Sequence, residues 1–134
     1  MRKIKKKTVQ RIPPSLTISQ MITQMASDYI FMGDTTEDCQ SYLNSACTAW
    51  NIAILPEHQR EEALRRFVGE YKRLNPGVDD EENLIHDMRI LIRKKLDLFP
   101  AAKKMIVNAH LEELEGLKYR INIASTDNPR QFIK

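Results

Sequence analysis

A chain of 134 residues is long enough to bury the core of one domain without a disulfide or a metal. Its 42% apolar and 29% charged residues exclude an intrinsically disordered chain, and no apolar run approaches the roughly 18 residues that a membrane span needs. The formal charge of +3 is a property of one end: Arg2, Lys3, Lys5, Lys6, Lys7 and Arg11 carry no acid among them, and the remainder holds 15 bases against 18 acids, a net −3.

The basic N-terminal segment, 1–14, closes at Pro13-Pro14, which cannot continue a helix. No apolar stretch follows the cations, so the segment does not read as a secretory signal. Thr17-Ile18-Ser19-Gln20 has the form of a capping box, with Leu16 and Met21 placed as a hydrophobic staple. Ile18, Met21, Ile22, Met25, Tyr29 and Met32 follow at helical spacing, and Gly33 suits a left-handed C′ position. The first helix is expected over 18–32.

The second helix is expected from about Thr36 to Leu55. Glu37 and Asp38 sit against its N-terminal dipole. Cys39, Tyr42, Leu43, Ala46, Cys47, Trp50, Ala53 and Ile54 form one continuous apolar stripe. Asn51 lies just off that stripe and is expected to hydrogen-bond a neighbouring element. Pro56 turns Leu55 out of helical ψ and starts a new helix.

The third helix, about 57–74, turns Leu64, Phe67, Val68, Tyr71 and Leu74 inward. Asn75-Pro76-Gly77 is a turn. The fourth begins with Asp79 to Glu82 and buries Leu84, Ile85, Met88, Leu91, Ile92, Leu96 and Phe99. Arg93, Lys94 and Lys95 complement its C-terminal dipole, and Pro100 ends it. Beyond it Met105, Val107, Ala109 and Leu111 alternate with Ile106, Asn108 and His110. Tyr119, Ile121 and Ile123 alternate again across a turn at Glu115-Gly116, so a hairpin is preferred. A helical register through Val107, Leu114, Leu117, Ile121 and Ala124 stands as the alternative. The expected fold is therefore mainly α, a small four-helix domain with a C-terminal β-hairpin (α+β), against an all-α bundle of five helices. One globular domain is expected over 15–125, with a polar tail over 126–134.

Candidate chemistry is sparse. His58 with Glu61 and Glu62 could present imidazole and carboxylate on one helix face, and His86 has Glu82 a turn before it and Asp87 beside it. A metal site needs three or four converging ligands, and neither a His-x-x-x-His nor a Glu-x-x-His spacing occurs. These groups, and His110, read as solvated faces.

Cys39 lies in the first turn of its helix, which favours a thiolate. Both cysteines share the stripe of Tyr42 and Trp50, so they read as small core residues. Eight residues apart in one helix, they are too distant for a disulfide. Free thiols and the lack of a signal pattern point to a reducing cytoplasm. The glycines Gly33, Gly69, Gly77 and Gly116 form no phosphate-binding loop. Met21 and Met25 read as core filler. No catalytic, cofactor-binding or metal-binding residue is assigned, and no cofactor is expected.

The run Ala46-Cys47-Thr48-Ala49-Trp50-Asn51-Ile52-Ala53, continuing to Leu55-Pro56-Glu57, resembles a segment of small bacterial helical proteins of unknown function. Phe99-Pro100, Lys103-Lys104 and Met105-Ile106-Val107 extend the resemblance. It covers about half the chain and implies a helical domain with a C-terminal hairpin, without any activity. The functional expectation is a non-enzymatic cytoplasmic domain acting through protein contacts, with a protein partner or a second copy of itself and no membrane. The alternative is a nucleic-acid accessory protein using the basic segment, which has no aromatic residue to stack on a base.

Overall fold

The computed structural model describes residues 16–77, 80–116 and 118–126. Four helices, α1 (Ile18–Ile30), α2 (Thr36–Ile54), α3 (Glu57–Leu74) and α4 (Glu81–Leu98), precede an antiparallel hairpin of β1 (Met105–Leu114) and β2 (Lys118–Thr126). The mainly α architecture with a C-terminal hairpin is thus the one expected, and the five-helix alternative is excluded. Gly116, at φ 72°, makes the hairpin turn in a conformation that other residues adopt only with strain. The basic segment, most of the polar tail and the expected helix-start residue Asp79 lie outside the described residues.

α1 begins on a complete capping box: Thr17 Oγ1 accepts from the Gln20 amide, and Gln20 Oε1 accepts from the Thr17 amide. α2 is capped by Thr35, whose hydroxyl accepts from the Asp38 amide. Leu55, at ψ 155°, ends α2 in the extended conformation that Pro56 imposes. α2 forms the centre of the molecule, packing against α1, α3, α4 and β1, while α1 lies along β2. Its stripe supplies Cys39, Leu43, Ala46, Cys47, Trp50 and Ala53 to the core. α1 adds Ile22, Met25 and Ile30, and α4 adds Met88, Leu91 and Ile92.

Several expectations are corrected. α1 stops at Ile30, and Met32 is 58% exposed beyond it. Gly33 is not left-handed; Gly116 alone has positive φ among the described glycines. Gly33 is instead required by close approach. A Cβ there would lie 2.7 Å from Asp38 Cβ and 2.8 Å from the Cys39 amide nitrogen, so any side chain would push on the first turn of α2. Leu74, the last residue of α3, is 67% exposed and not inward-facing.

The strict alternation of β1 also fails. A bulge between Ile106 and Asn108 leaves Val107 46% exposed and turns Ile106 into the core beside Met105. An extra residue on one strand resets the side-chain parity beyond it. That is why Ile106, Ala109 and Leu111, and not an unbroken series from Met105, face inward.

Candidate functional site

The candidate catalytic groups disperse in the fold. Glu61 is paired with Arg65 and, across to α4, with Arg89 at 2.7 Å. His58 and Glu62 are exposed residues beside a groove of about 720 Å³ between α2 and α3, with Ile52, Ala63, Phe67 and Met105 among its apolar lining. His86 is exposed, and His110 is an exposed residue of β1 opposite Asn122. Among the described residues no three His, Cys, Asp or Glu side chains converge on a metal-sized site. No helix among them is long and apolar enough to cross a membrane.

Both cysteines are buried free thiols. Burial pushes the Cys47 thiol up to about 12, so it stays protonated and unreactive near neutrality. Cys39 Sγ lies 3.7 Å from the Gly33 carbonyl oxygen, its hydrogen-bond partner. Tyr29 is likewise pushed up to about 12, by burial first and against the opposing effect of its hydrogen bond with Ser45. These groups belong to the α1–α2 packing, where the rings of Tyr29 and Tyr42 lie 5.1 Å apart.

The organised polar chemistry lies where α2 meets β1. Asn51, buried, donates through Nδ2 to the Ile106 carbonyl at 2.9 Å and accepts the Ile106 amide on Oδ1 at 2.8 Å. Gln40 does the same further along the strand: Nε2 donates to the Ala109 carbonyl at 3.1 Å, and Oε1 accepts from the Leu111 amide at 2.7 Å. Eleven residues rotate a helix through about 20° net, so the two amides project from one flank of α2. They mimic a neighbouring strand and seal the edge of β1 that β2 does not occupy.

Asn51 behaves as the sequence led us to expect. Gln40 was missed, although its spacing from Asn51 carried the signal. Trp50 Nε1 extends the same seam, donating to the Lys104 carbonyl at 2.8 Å just before β1.

Lys95 was also missed. Its side chain is 1% exposed, with Nζ donating to the carbonyls of Phe99 and Ala102 at 2.7 and 2.6 Å. The ammonium stands 4.9 Å from the centroid of the Trp50 ring, a cation–π arrangement. Burial, helped by Lys103 and Arg60, lowers its pKa to about 8. It is three, four and seven residues beyond Ile92, Leu91 and Met88, so it falls on the buried stripe of α4. Reading the cations at that helix end only as dipole partners hid this. Its contacts tie the end of α4 and the following turn to α2, a structural task.

The two edges of the hairpin differ in kind. The amides of α2 show that Ala109 and Leu111 turn their backbone groups away from β2, so His110 and Glu112 turn theirs toward it. Through the register His110↔Asn122 and Glu112↔Arg120, the backbone groups of Tyr119, Ile121 and Ile123 must therefore face the far edge of β2. Among the described residues the outward backbone groups of these three are bonded to no helix side chain and to no other strand, although the Tyr119 hydroxyl lies 3.5 Å from Thr36 Oγ1 of α2. Two grooves lie between the N-terminal half of α1 and β2: one of about 610 Å³ that includes Ile123 and residues 101–104, and one of about 370 Å³ that includes Ile121. No protein-family model, curated protein or solved structure gives a significant match to the chain.

Proposed function

We propose that the protein is a non-enzymatic cytoplasmic domain that works through contacts with other protein chains, and that the open edge of β2 makes those contacts. The asymmetry of the hairpin carries this reading. α2 commits Asn51 and Gln40 to close one edge, while the edge bearing Tyr119, Ile121 and Ile123 presents a row of backbone donors and acceptors. Such a row is a template for an added strand.

Ile121→Pro removes the central donor of that row at a position where an edge strand tolerates proline. Proteins recovered from cells with the wild-type chain are expected to be lost with this variant, at unchanged circular dichroism. An unchanged set of recovered proteins would sink the reading.

One sequence observation supports a second reading, nucleic-acid binding through the basic segment: six cations without an acid precede a body of net −3. Deleting residues 1–12 should then abolish a salt-sensitive affinity for RNA or DNA. Absence of binding by the full chain at low salt would end it.

A further inference from the structure

We infer that the occupant of the β2 edge is β2 of a second copy of this chain, paired antiparallel about a two-fold axis at Ile121. The inference rests on the reading of that edge as a contact surface, and goes beyond it by specifying partner and register.

The backbone groups fit. Centring on Ile121 aligns the outward-facing residues as Ile121 with Ile121, and Tyr119 with Ile123 of the second copy. Each such pair exchanges two backbone hydrogen bonds. The side chains fit as well. On the inner face, half-buried Ile121 would meet its own equivalent, and half-buried Tyr119 would meet Ile123, a favourable aromatic–β-branched pair.

Charge narrows the register, and the Tyr119–Ile123 pair chooses between the two that remain: centring on Asn122 opposes no cations either, but sets Tyr119 against Ser125. With the axis at Ile121, Lys118 would stand opposite Ala124 and Arg120 opposite Asn122 on the outer face, so no cation meets a cation. Centring on Tyr119 instead would set Lys118 against Arg120 in both symmetry-related positions, which like charges oppose. Centring on Ile123 leaves Tyr119 without a partner in the other β2, since that strand ends at Thr126.

Closure follows from the other edge. The four-stranded sheet would run β1-β2-β2-β1, and each outer β1 is already sealed by Asn51 and Gln40. Assembly therefore stops at two copies, as a two-fold contact between identical surfaces requires.

The test is sedimentation velocity of the full-length chain across a concentration series, with two substitutions at one position. Asn122 donates to Glu112 Oε1 within its own chain at 3.2 Å. Asn122→Lys keeps a partner for Glu112 but sets a cation against Arg120 of the second copy. Asn122→Glu sets like charges together within the chain but offers an ion pair across the dimer.

The expected result is a dimer dissociating on dilution, with a Kd raised roughly tenfold by Asn122→Lys and lowered by Asn122→Glu. Intrachain stability is expected to move in the opposite sense, so destabilisation alone cannot imitate this pattern. A chain that remains monomeric throughout the series overturns the inference, as does a dimer whose Kd ignores both substitutions. A monomer that still loses its recovered proteins on Ile121→Pro overturns self-pairing while leaving the edge as the contact surface. Loss of both results overturns the proposed function as well.

Discussion

Truncating Asn51 to alanine would leave the amide and the carbonyl of Ile106 unpaired in a buried setting. The expected loss is about 2–4 kcal/mol in urea unfolding, since each orphaned polar group costs roughly 1–3 kcal/mol. Asn51→Asp keeps the acceptor but sets a buried carboxylate oxygen against the Ile106 carbonyl, so near neutrality it should be no more stable than alanine. A loss below about 0.5 kcal/mol for alanine would contradict the role given to the residue.

Lys95 presents a different balance, because its ammonium is held by two carbonyls and an aromatic face against the cost of burial. Its folded pKa, about 8, lies below the ordinary value of 10.5. Between those values the unfolded chain binds more protons than the folded one, so this group makes stability rise with pH across that window. Below about pH 8 its burial cost is present in full. Wild type should therefore gain stability relative to Lys95→Met as the pH is raised from neutrality through that window, and parallel pH curves would refute the shift.

At the scale of elements, the hairpin depends on one helix more than on its own two strands. A two-stranded sheet alone is marginal in water; here α2 supplies a substitute for a third strand. Gln40→Ala should raise hydrogen exchange at the Leu111 amide far more than at Ile106, which Asn51 holds separately. Equal acceleration at both sites would mean that the seal acts as one unit. The α1–α2 connection is equally specific, since Gly33 leaves no space for a Cβ against Asp38 and Cys39. Gly33→Ala is expected to destabilise by about 1–3 kcal/mol, through displacement of the first turn of α2. An unchanged melting temperature would show that the loop shifts freely.

For the whole molecule, the proposed pairing of β2 with a second copy makes the seal on β1 the limit on how many chains can join. If β1 is closed only by the two amides, Gln40→Ala combined with Asn51→Ala should expose a second template. Light scattering would then show assemblies growing beyond two copies with concentration, provided the doubly substituted chain retains its helical circular dichroism. Retention of the wild-type size distribution by that folded chain would show that something other than the amides blocks the edge.

The division between what was legible in the sequence and what was not has a physical basis. The capping box of α1, the proline stops and the apolar stripe of α2 are local, with their causes lying within a few residues of their effects. The four helices could accordingly be placed from residue order alone, whereas residue order only prefers the hairpin to a fifth helix and the fold was needed to decide it. The burial of Cys39, Cys47 and Trp50 followed from the same angular spacing. The bulge at Val107, the close approach at Gly33 and the burial of Lys95 arise from contacts between segments distant in the chain, and residue order carries only faint traces of them. Asn51 shows the boundary within one residue. Its position beside the stripe announced a hydrogen bond, but only the tertiary structure decided that the partner is Ile106 and that Gln40 repeats the contact. The same packing closes β1, because α2 turns two amides toward its strand, while among the described residues no side chain of α1 bonds to the far edge of β2.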